Sequence, residues 1–406
     1  MRRATWPVRR RVVAVVHHLT AGTRLADEVL PLVETNPHVE VTFTVPPASD
    51  FAGSGTRFVR ELDGAYLPWD EATRTHFDLA VAANYGGLEQ LRAPALVLNH
   101  GVGPGSRDAR RPGHGPAVSR PVRGAVPNQL VHRGRVVPAA IGVANERLRE
   151  LIRREVPEAA QVTHVVGDHC HDRIQASTAL RDAYRAALGV GDGQRLVVVS
   201  SRWGPRSLLG RHPELPQRLV RELPAGRYRV VVVPHPVAWF WHGRRQVRAW
   251  FAPAQRDGLM VLPPEWGWQA ALVASDLVVG DLGSVTCYAA AATRPVLLGA
   301  CPRGDVSPRS AMSQLARQFP RLRYDEELAP QLASAQLEHD PRDGDRVARR
   351  LTSAPGRAAP LLRSLMYRML RLEEPQSPAV IAPADLPRPL PVLGSPDSPE
   401  DGRWAA

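Results

Sequence analysis

Short apolar runs alternate with longer amphipathic segments along the first half of the chain. The runs have the length and the β-branched content of buried strands, and the later ones end in Asn, Gly or Asp. In order, they are RRVVAVVHH, VEVTFTV, FDLAVAAN, ALVLNHGVGPGS and QVTHVVGD. Among them, TRLADEVLPLVE and NERLRELIRREV have apolar residues at helical spacing. This alternation of strands and helices predicts a parallel, doubly wound sheet.

The alternation starts again after a linking helix that we expect near residues 175–194. Strand patterns recur in RLVVVSSRWG, YRVVVVPHP, LMVLPP, DLVVGDLGS and RPVLLGA, with helix patterns in PELPQRLVRELP, RRQVRAWFAPA and WQAALVAS. The sequence therefore predicts an α/β fold of two Rossmann-like lobes, residues 1–180 and 190–372. Within the second range, APLLRSLMYRMLRLEE predicts an amphipathic helix that packs back across the lobes. The Pro-rich residues 373–406 are expected to form a disordered tail.

The amino-acid composition gives the chain a positive net charge. The 406 residues are 44% hydrophobic, which is enough for two cores, and the formal net charge is +12. All 52 basic residues are Arg. Such a field favours phosphate-bearing partners, namely nucleotides, anionic lipid surfaces or nucleic acid. A generic solvated surface of arginines explains the same excess, and we favour it over a dedicated polyanion site.

Cysteine usage indicates a reducing, cytoplasmic location. Cys170, Cys287 and Cys301 are too few and too scattered for a disulfide framework or a zinc cluster, so no bound metal is expected. Near the N-terminus, the run VVAVV is too short for the core of a signal peptide. No stretch approaches the roughly 20 apolar residues of a membrane span. Any contact with an anionic membrane is therefore expected to be peripheral.

The first candidate site is the turn LNHGVGPGS, because ligands of open parallel sheets bind at the carboxyl ends of strands. His100 lies there, followed by Gly101 and Gly103. An imidazole in this place is suited to act as a general acid or base, and the glycines let backbone N–H groups approach an oxyanion. A surface histidine beside a flexible loop explains the same turn more simply, since GVGPGS matches no established phosphate motif.

Two turns of the second half carry groups that suit a diphosphate. Ser200, Ser201 and Arg202 follow a strand and offer hydroxyls, loop amides and a guanidinium, although they also suit an ordinary turn. His235 lies between two prolines, which fix the direction of its imidazole. The aromatic run WFWHG that follows either stacks on a base or packs in a core, and we favour packing.

Two more turns surround an alanine-rich helix. Glu265 and Trp266 lie on a loop before a helix, where they either hold a nucleoside or form a turn with a partly buried Trp. The segment GDLGSVTCY passes from strand to helix through Asp281, Gly283 and Ser284. Such a corner needs Gly for backbone freedom and Ser as an N-cap, or else it leaves the helix N-terminus open for a phosphate.

These turns together resemble the donor-binding lobe of GT-B glycosyltransferase-like enzymes. The most similar family is that of the CDP-glycerol glycerophosphotransferases, which build polyol phosphates of the teichoic-acid type. The similar segments are SDLVVGDLGSVTCY followed by RPV, the turns VPHP and NHGV, and the junction VVGDHCHDRI. They are scattered over roughly half of the chain.

The resemblance implies a transferase that uses a CDP- or UDP-linked donor and moves a glycosyl or polyol-phosphate group to a sugar or polyol hydroxyl, without a metal or other cofactor. Residues 1–180 would then bind the acceptor and residues 190–372 the donor. In this interpretation His100 is the general base, His235 contacts the diphosphate or assists the leaving group, and Ser284 binds a phosphate. The residues expected beside Ser284 at the phosphate are Ser200, Ser201, Arg202, Asp281 and Gly283; those at the nucleoside are Glu265, Trp266 and Tyr288.

The chain departs from the family's pattern at four positions. Val233 replaces an arginine, Gly283 a serine, Tyr288 a carboxylate and Asn99 a tryptophan. These changes keep the geometry of a phosphate site. They favour a donor other than CDP-glycerol, or a lobe that has lost catalysis.

Two other functions are compatible with the sequence. A UDP-sugar 2-epimerase shares the two-lobed fold but needs several carboxylates, and Asp168, Asp172 and Asp281 form no recognisable set. A non-catalytic protein that binds nucleotides or nucleic acid would use the arginine excess. The arginines are spread over both halves, without a basic stripe interleaved with aromatics, so nucleic acid is not expected as a partner.

Overall fold

The computed structural model describes residues 7–47, 52–103, 127–302, 306–308 and 310–395, which form two compact units. Unit 1 comprises Met1–Ala176, Arg303–Gln314 and Arg346–Ala382. Unit 2 comprises Ser177–Pro302, Leu315–Asp345 and Pro383–Ala406. Each unit therefore contains a late part of the chain as well as a continuous early part.

Unit 1 is built on a six-stranded sheet in which all neighbouring strands are parallel. In chain order the strands of the unit are β1 (Arg10–Val15), β2 (Val39–Thr44), β3 (Leu79–Ala82), β4 (Ala95–Leu98), β5 (Val131–His132), β6 (Arg135–Val136), β7 (Ala140–Val143) and β8 (Thr163–Val165). The sheet has the order β2-β1-β3-β4-β7-β8, and β5 and β6 form a separate antiparallel pair. Val15 is aligned with Ala82, and Ala82 with Val97, so the residues that follow β1, β3 and β4 lie at one edge.

Helices cover the sheet of unit 1. Their bounds are Leu19–Arg24, Ala52–Glu61, Trp69–Ala72, Pro127–Leu130, Glu146–Glu155, His169–Ala176 and Ala358–Leu370, with 3-10 turns at Leu30–Leu32, Leu88–Gln90 and Pro157–Val162. A π-helical turn, Leu25–Val29, continues the first helix. Helix Ala358–Leu370, expected within the second lobe, buries Leu362 and Met366 in the same core as β1 and so belongs to unit 1.

Unit 2 contains a second sheet, again with all neighbouring strands parallel. Its strands are β9 (Arg195–Ser201), β10 (Tyr228–Pro234), β11 (Met260–Val261), β12 (Leu277–Gly280) and β13 (Val296–Leu298), in the order β11-β10-β9-β12-β13. Ser200 is aligned with Val233 on one side and Gly280 on the other, so the residues after β9, β10 and β12 lie at one edge. The valine runs of these strands are buried, as expected for a parallel sheet covered on both faces.

The second half of the chain contains the remaining helices. Their bounds are Arg181–Ala187, Leu208–Arg211, Leu215–Glu222, Pro236–His242, Arg244–Arg256, Trp268–Ala274, Ser284–Ala291, Ala311–Gln318, Leu328–Leu337 and Pro341–Leu351, with a 3-10 turn at Thr178–Leu180. The expected linking helix is therefore two helices joined by that turn. In the described part of the chain, no helix combines the length and the apolar character that crossing a membrane requires.

Part of the expected disordered tail packs on unit 2. The structure describes residues 373–395 of this segment as irregular chain. Ser177 Oγ accepts a hydrogen bond from Ala384 N at 2.8 Å, and Tyr184 Oη donates to Ala384 O. Further on, Leu390 N donates to the backbone of β11 at 2.8 Å. Residues of the expected tail are thus bonded to unit 2 at Ala384 and Leu390, and residues 396–406 lie outside the described part of the chain.

Candidate functional site

His100 lies two residues after β4, at the carboxyl edge of the sheet of unit 1. Its Nδ1 is 2.7 Å from the carbonyl oxygen of Ala83, and because a carbonyl only accepts, Nδ1 carries the proton and donates. In the neutral ring the lone pair is then on Nε2, as a general base requires. His100 is an exposed residue, but desolvation of its ring by neighbouring atoms and the charge of Arg24 lower the pKa of His100 below the ordinary histidine value. The ring is therefore neutral at pH 7.

Two further histidines, which the sequence pattern did not single out, lie at the same carboxyl edge of the sheet of unit 1. His17 and His18 follow β1, and His17 Nε2 donates to Gly86 O at 2.9 Å. The ring of His18 meets that of His100 edge-on, with centroids 4.7 Å apart and planes at 79°. His18 Nδ1 accepts from Ala21 N at 3.2 Å and so caps the first helix. Their position directly after a predicted strand is the signal that would have identified them.

A cluster of buried charged residues lies close to these histidines in unit 1. Arg24 Nη1 is 3.8 Å from Glu28 Oε2, and both side chains are almost fully buried. Burial raises the pKa of Glu28 to about 7. Burial, together with the charge of Arg24, lowers the pKa of His169 to about 3. Arg24 thus acts electrostatically on His100, Glu28 and His169 at once, which no spacing in the sequence indicates.

A cavity of about 340 Å³ lies within unit 1, between the loop after β3 and the β5–β6 pair. Its lining includes Asn84, Gly86, Glu89, Gln129, His132 and Pro138. Amide, carboxylate and imidazole groups of this kind form hydrogen bonds with the hydroxyls of sugars and polyols. Gly86 connects the cavity to the histidine edge, because its carbonyl accepts from His17.

In unit 2, the serine pair at the end of β9 is buried. Ser200 and Ser201 are each 4% exposed. Ser201 Oγ donates to Arg202 O at 2.8 Å and accepts from Leu209 N at 3.0 Å. The hydroxyl of Ser201 therefore closes the loop that follows β9.

Asp281 ties the same loop to the end of β12. Its Oδ2 accepts from Arg202 N at 2.8 Å and from Leu208 N at 3.0 Å. The side chain is buried, and burial raises the pKa of Asp281 to about 6. Among the described residues, Oδ1 has no hydrogen-bond partner. Asp281 thus holds the loop rather than facing solvent.

The helix Ser284–Ala291 begins without a side-chain cap. Gly283 is its N-cap and Ser284 is the first helical residue, whereas the sequence suggested Ser284 as the cap. A Cβ on Gly283 would lie 2.9 Å from Arg202 Cγ and 3.0 Å from Asp281 Oδ1. Glycine at this position therefore lets the Arg202 side chain lie against the helix N-terminus, with Nη1 3.4 Å from Leu282 O. A guanidinium beside the positive end of a helix is an arrangement suited to an anion.

His235 is held in the opposite tautomer to His100. It lies directly after β10 as the N-cap of helix Pro236–His242, and its Nδ1 accepts from Val237 N at 3.1 Å. In the neutral ring the proton is therefore on Nε2. Nε2 of His235 is a hydrogen-bond donor, which suits a phosphate oxygen.

The three expected nucleoside contacts lie in different surroundings. Glu265 forms an ion pair with Arg244 and is largely buried. Trp266 is 45% exposed. Tyr288, in contrast, is 1% exposed, and its ring lies 5.9 Å from that of Trp268. Only Trp266 of these three presents a large surface to a ligand.

The carboxylates that an epimerase would need accept hydrogen bonds from backbone N–H groups. Asp168 Oδ1 accepts from His171 N at 3.0 Å. Asp172 accepts from Gly356 N at 2.8 Å and from Ala358 N at 3.0 Å. The described residues contain no group of three or more His, Cys, Asp or Glu side chains placed to hold a metal ion.

Comparisons with known proteins relate this chain to solved structures at low sequence identity. No protein-family model and no curated protein matches the sequence. The wall teichoic acid polymerase TagF is 14% identical, with 90% of each chain covered and a TM-score of 0.59. A TagF variant soaked with CDPG is 12% identical, with the same coverage and a TM-score of 0.57. Anabaena HepE in complex with UDP-glucose is 14% identical over 90% of this chain and 100% of its own, with a TM-score of 0.48. The likeness to TagF confirms the α/β fold of two Rossmann-like, GT-B-like lobes.

Proposed function

We propose that this chain is a nucleotide-diphosphate-dependent transferase that moves a glycosyl or polyol-phosphate group to a hydroxyl acceptor. The observation that carries the proposal is the pair of opposite histidine tautomers. His100 holds Nε2 as an acceptor because Nδ1 donates to a carbonyl, and His235 holds Nε2 as a donor because Nδ1 accepts from an amide. One imidazole is suited to take a proton, and the other to bind a phosphate.

The donor's diphosphate is proposed to bind at the carboxyl edge of the sheet of unit 2. The uncapped N-terminus of helix Ser284–Ala291, the guanidinium of Arg202 and Nε2 of His235 follow three neighbouring strands. Together they offer the positive charge and the donors that two phosphates require. Ser284 and Gly283 contribute to the same end of the helix. The exposed face of Trp266 is available for a nucleoside base, and the donor is CDP- or UDP-linked.

The acceptor hydroxyl is proposed to bind at the edge of unit 1. Its oxygen attacks the donor at the sugar carbon or at the phosphorus, and its proton passes to Nε2 of His100. The bond to the leaving nucleotide phosphate breaks, and the charge that develops there is stabilised by the helix N-terminus and Arg202. This scheme needs no metal. The cavity beside His17 supplies polar groups for the other hydroxyls of a sugar or polyol.

Isothermal titration of the full chain with CDP, UDP and GDP tests the donor half of the proposal. We expect one or more of these to bind. The variant Arg202→Gln should weaken the binding about tenfold, because a hydrogen bond to a charged group is lost. Arg342→Gln is the matched control, since the side chain of Arg342 is 83% exposed on another helix of unit 2. Absence of binding to all three nucleotides, or equal loss in both variants, would overturn the proposal.

A further inference from the structure

A segment of the Pro-rich C-terminal chain lies on unit 2 as an extended strap, which we define as residues 383–391. At its start, the N–H of Ala384 donates to Ser177 Oγ at 2.8 Å. Further along, Pro387 is buried, and Leu390 packs on the core of unit 2. Because proline fixes φ, a sequence in which every second residue is proline follows such a path with little loss of conformational entropy.

Leu390 bonds the strap to the end of β11, which lies at an edge of its sheet. Its N–H donates to Val261 O at 2.8 Å, and its carbonyl accepts from Gln255 Nε2 at 3.0 Å. Prolines lie on both sides of Leu390 and have no N–H, so Leu390 supplies a donor that its two neighbours lack. The strap is thereby fixed at Val261, the residue where β11 ends.

Pro387 lies against Gly267, the N-cap of helix Trp268–Ala274. A Cβ on Gly267 would lie 3.2 Å from Pro387 Cα and 3.4 Å from Pro387 Cβ. Gly267 also has a φ of +89°, in the left-handed region that glycine adopts without strain. Glycine at this position therefore allows both the turn of the chain and the close approach of the strap.

These two contacts enclose the loop between β11 and helix Trp268–Ala274. We call residues 262–267 the nucleoside loop, because they include Trp266, which is 45% exposed. The strap is bonded to Val261, directly before the loop, and it packs on Gly267, the last residue of the loop. A short loop that is held at both ends has few conformations open to it. The strap thus limits the positions that Trp266 can take.

We propose that the strap sets the conformation of the nucleoside loop and so positions Trp266 for the base of the donor, with Pro387 and Leu390 as positioning residues. An aromatic platform that is held in place before the ligand arrives binds better, because no free energy is spent on ordering it. This inference rests on the proposed transferase function, in which Trp266 meets the base. It adds that the C-terminal chain controls the affinity for the nucleoside, while Arg202 and helix Ser284–Ala291 bind the diphosphate.

Isothermal titration of the full chain tests the contact at Gly267. The ligands are CDP, UDP and GDP, each compared with inorganic pyrophosphate. Gly267→Ala places a methyl group against Pro387, so the Kd for the nucleotides that bind should rise about tenfold, as expected when a base loses its stacking platform. The Kd for pyrophosphate should not change. The matched control is Gly258→Ala: Gly258 has a φ of +104°, and a Cβ there would meet no described atom within 4 Å. The control therefore carries the same kind of backbone strain without displacing the strap, and it should bind both ligands like the unmodified protein.

A second set of variants tests the bond at Leu390. Leu390→Pro removes the N–H that donates to Val261 and should show the same selective loss of nucleotide affinity. Leu390→Met keeps the N–H and an apolar side chain, so it should restore the unmodified affinity. Val380→Pro is the control for the introduced proline, since Val380 is 76% exposed in the same tail before the strap begins.

Hydrogen exchange of the free protein gives a measurement that needs no ligand. The backbone amides of residues 262–267 should exchange about tenfold faster in Gly267→Ala and Leu390→Pro than in the two controls, because the loop is released. Unchanged exchange in this loop, unchanged nucleotide affinity, or an equal loss of affinity for nucleotide and pyrophosphate would each overturn the role of the strap. The transferase function fails differently, through absence of nucleotide binding by the unmodified chain, whereas the strap fails through the behaviour of its variants.

Discussion

The two sheets of this chain are built alike, but their carboxyl edges carry different chemistry. At the edge of unit 1, His100 donates from Nδ1 to a backbone carbonyl. At the edge of unit 2, His235 accepts at Nδ1 from a backbone amide. The same side chain after the same kind of strand therefore presents a base in one unit and a donor in the other. The difference depends on one local hydrogen bond and not on the topology of the sheet.

The buried carboxyl groups of the two units also differ in the groups that surround them. In unit 1 a carboxylate, Glu28, lies among other ionisable side chains, and the guanidinium of Arg24 is 3.8 Å away from it. In unit 2 the buried carboxylate of Asp281 is held by two backbone N–H groups. Burial raises both pKa values, to about 7 and about 6. Unit 1 thus contains a buried carboxyl group, on Glu28, that changes charge near neutral pH, while unit 2 uses its buried carboxylate to hold a loop.

The strongest test of the comparison is His100→Ala. If this imidazole is the base, turnover should fall about 10³-fold, while the affinity for the nucleotide changes little. In the unmodified protein, turnover should rise with pH and level off below the usual histidine value of about 6.5, because desolvation and the charge of Arg24 lower the pKa of His100.

Steady-state kinetics and titration of the nucleotide on the same preparations check this prediction. His76→Ala is the control, since His76 is an exposed residue of unit 1 that precedes β3. A large loss of nucleotide affinity in His100→Ala, with turnover of the bound form intact, would reverse the assigned roles.

The next largest effect is expected for Asp281→Ala in unit 2. Its loss leaves the amides of Arg202 and Leu208 buried without their acceptor, so the free energy of unfolding should fall by about 4 kcal/mol. Asp281→Asn keeps an acceptor oxygen and should lose much less. Urea unfolding measures both, and Asp257→Ala, at a more exposed carboxylate held by side chains, should stay within about 0.5 kcal/mol of the unmodified protein. Equal losses in Asp281→Ala and Asp257→Ala would contradict the loop-holding role.

Hydrophobic periodicity predicted the strands at the centre of both sheets, because buried parallel strands have continuous apolar runs. The turn residues His100, Asp281 and His235 were found in the same way, from their position after those strands. The hydrophobic pattern does not show which groups each side chain contacts in the folded protein. Tyr288 looks like a residue on a helix near a ligand, but its ring is buried because that face of the helix points into unit 2. Likewise, Arg24 and Glu28 have the spacing of an ordinary surface pair, and only tertiary packing buries them.

The burial of Glu28 makes a third, smaller prediction, which concerns pH. The native state holds the pKa of Glu28 at about 7, above its ordinary value of 4.5, so native protein binds the proton more tightly than unfolded protein. The contribution of Glu28 to stability is therefore fully present below about pH 4.5 and is lost as the pH rises through 7. Glu28→Gln removes this dependence. Relative to the unmodified protein, the variant should gain about 2 kcal/mol in free energy of unfolding between pH 5 and pH 8.

The matched control for this prediction is Glu61→Gln. Glu61 forms the same i, i+4 pair with an arginine, Arg57, at 2.8 Å, but it is 34% exposed. Such an exposed pair contributes under about 1 kcal/mol, so the difference between this variant and the unmodified protein should hardly vary with pH. Urea unfolding at both pH values gives the comparison. If Glu28→Gln showed the flat response expected of Glu61→Gln, the charge buried in unit 1 would be as well solvated as a surface pair, and the contrast drawn between the two edges would fail.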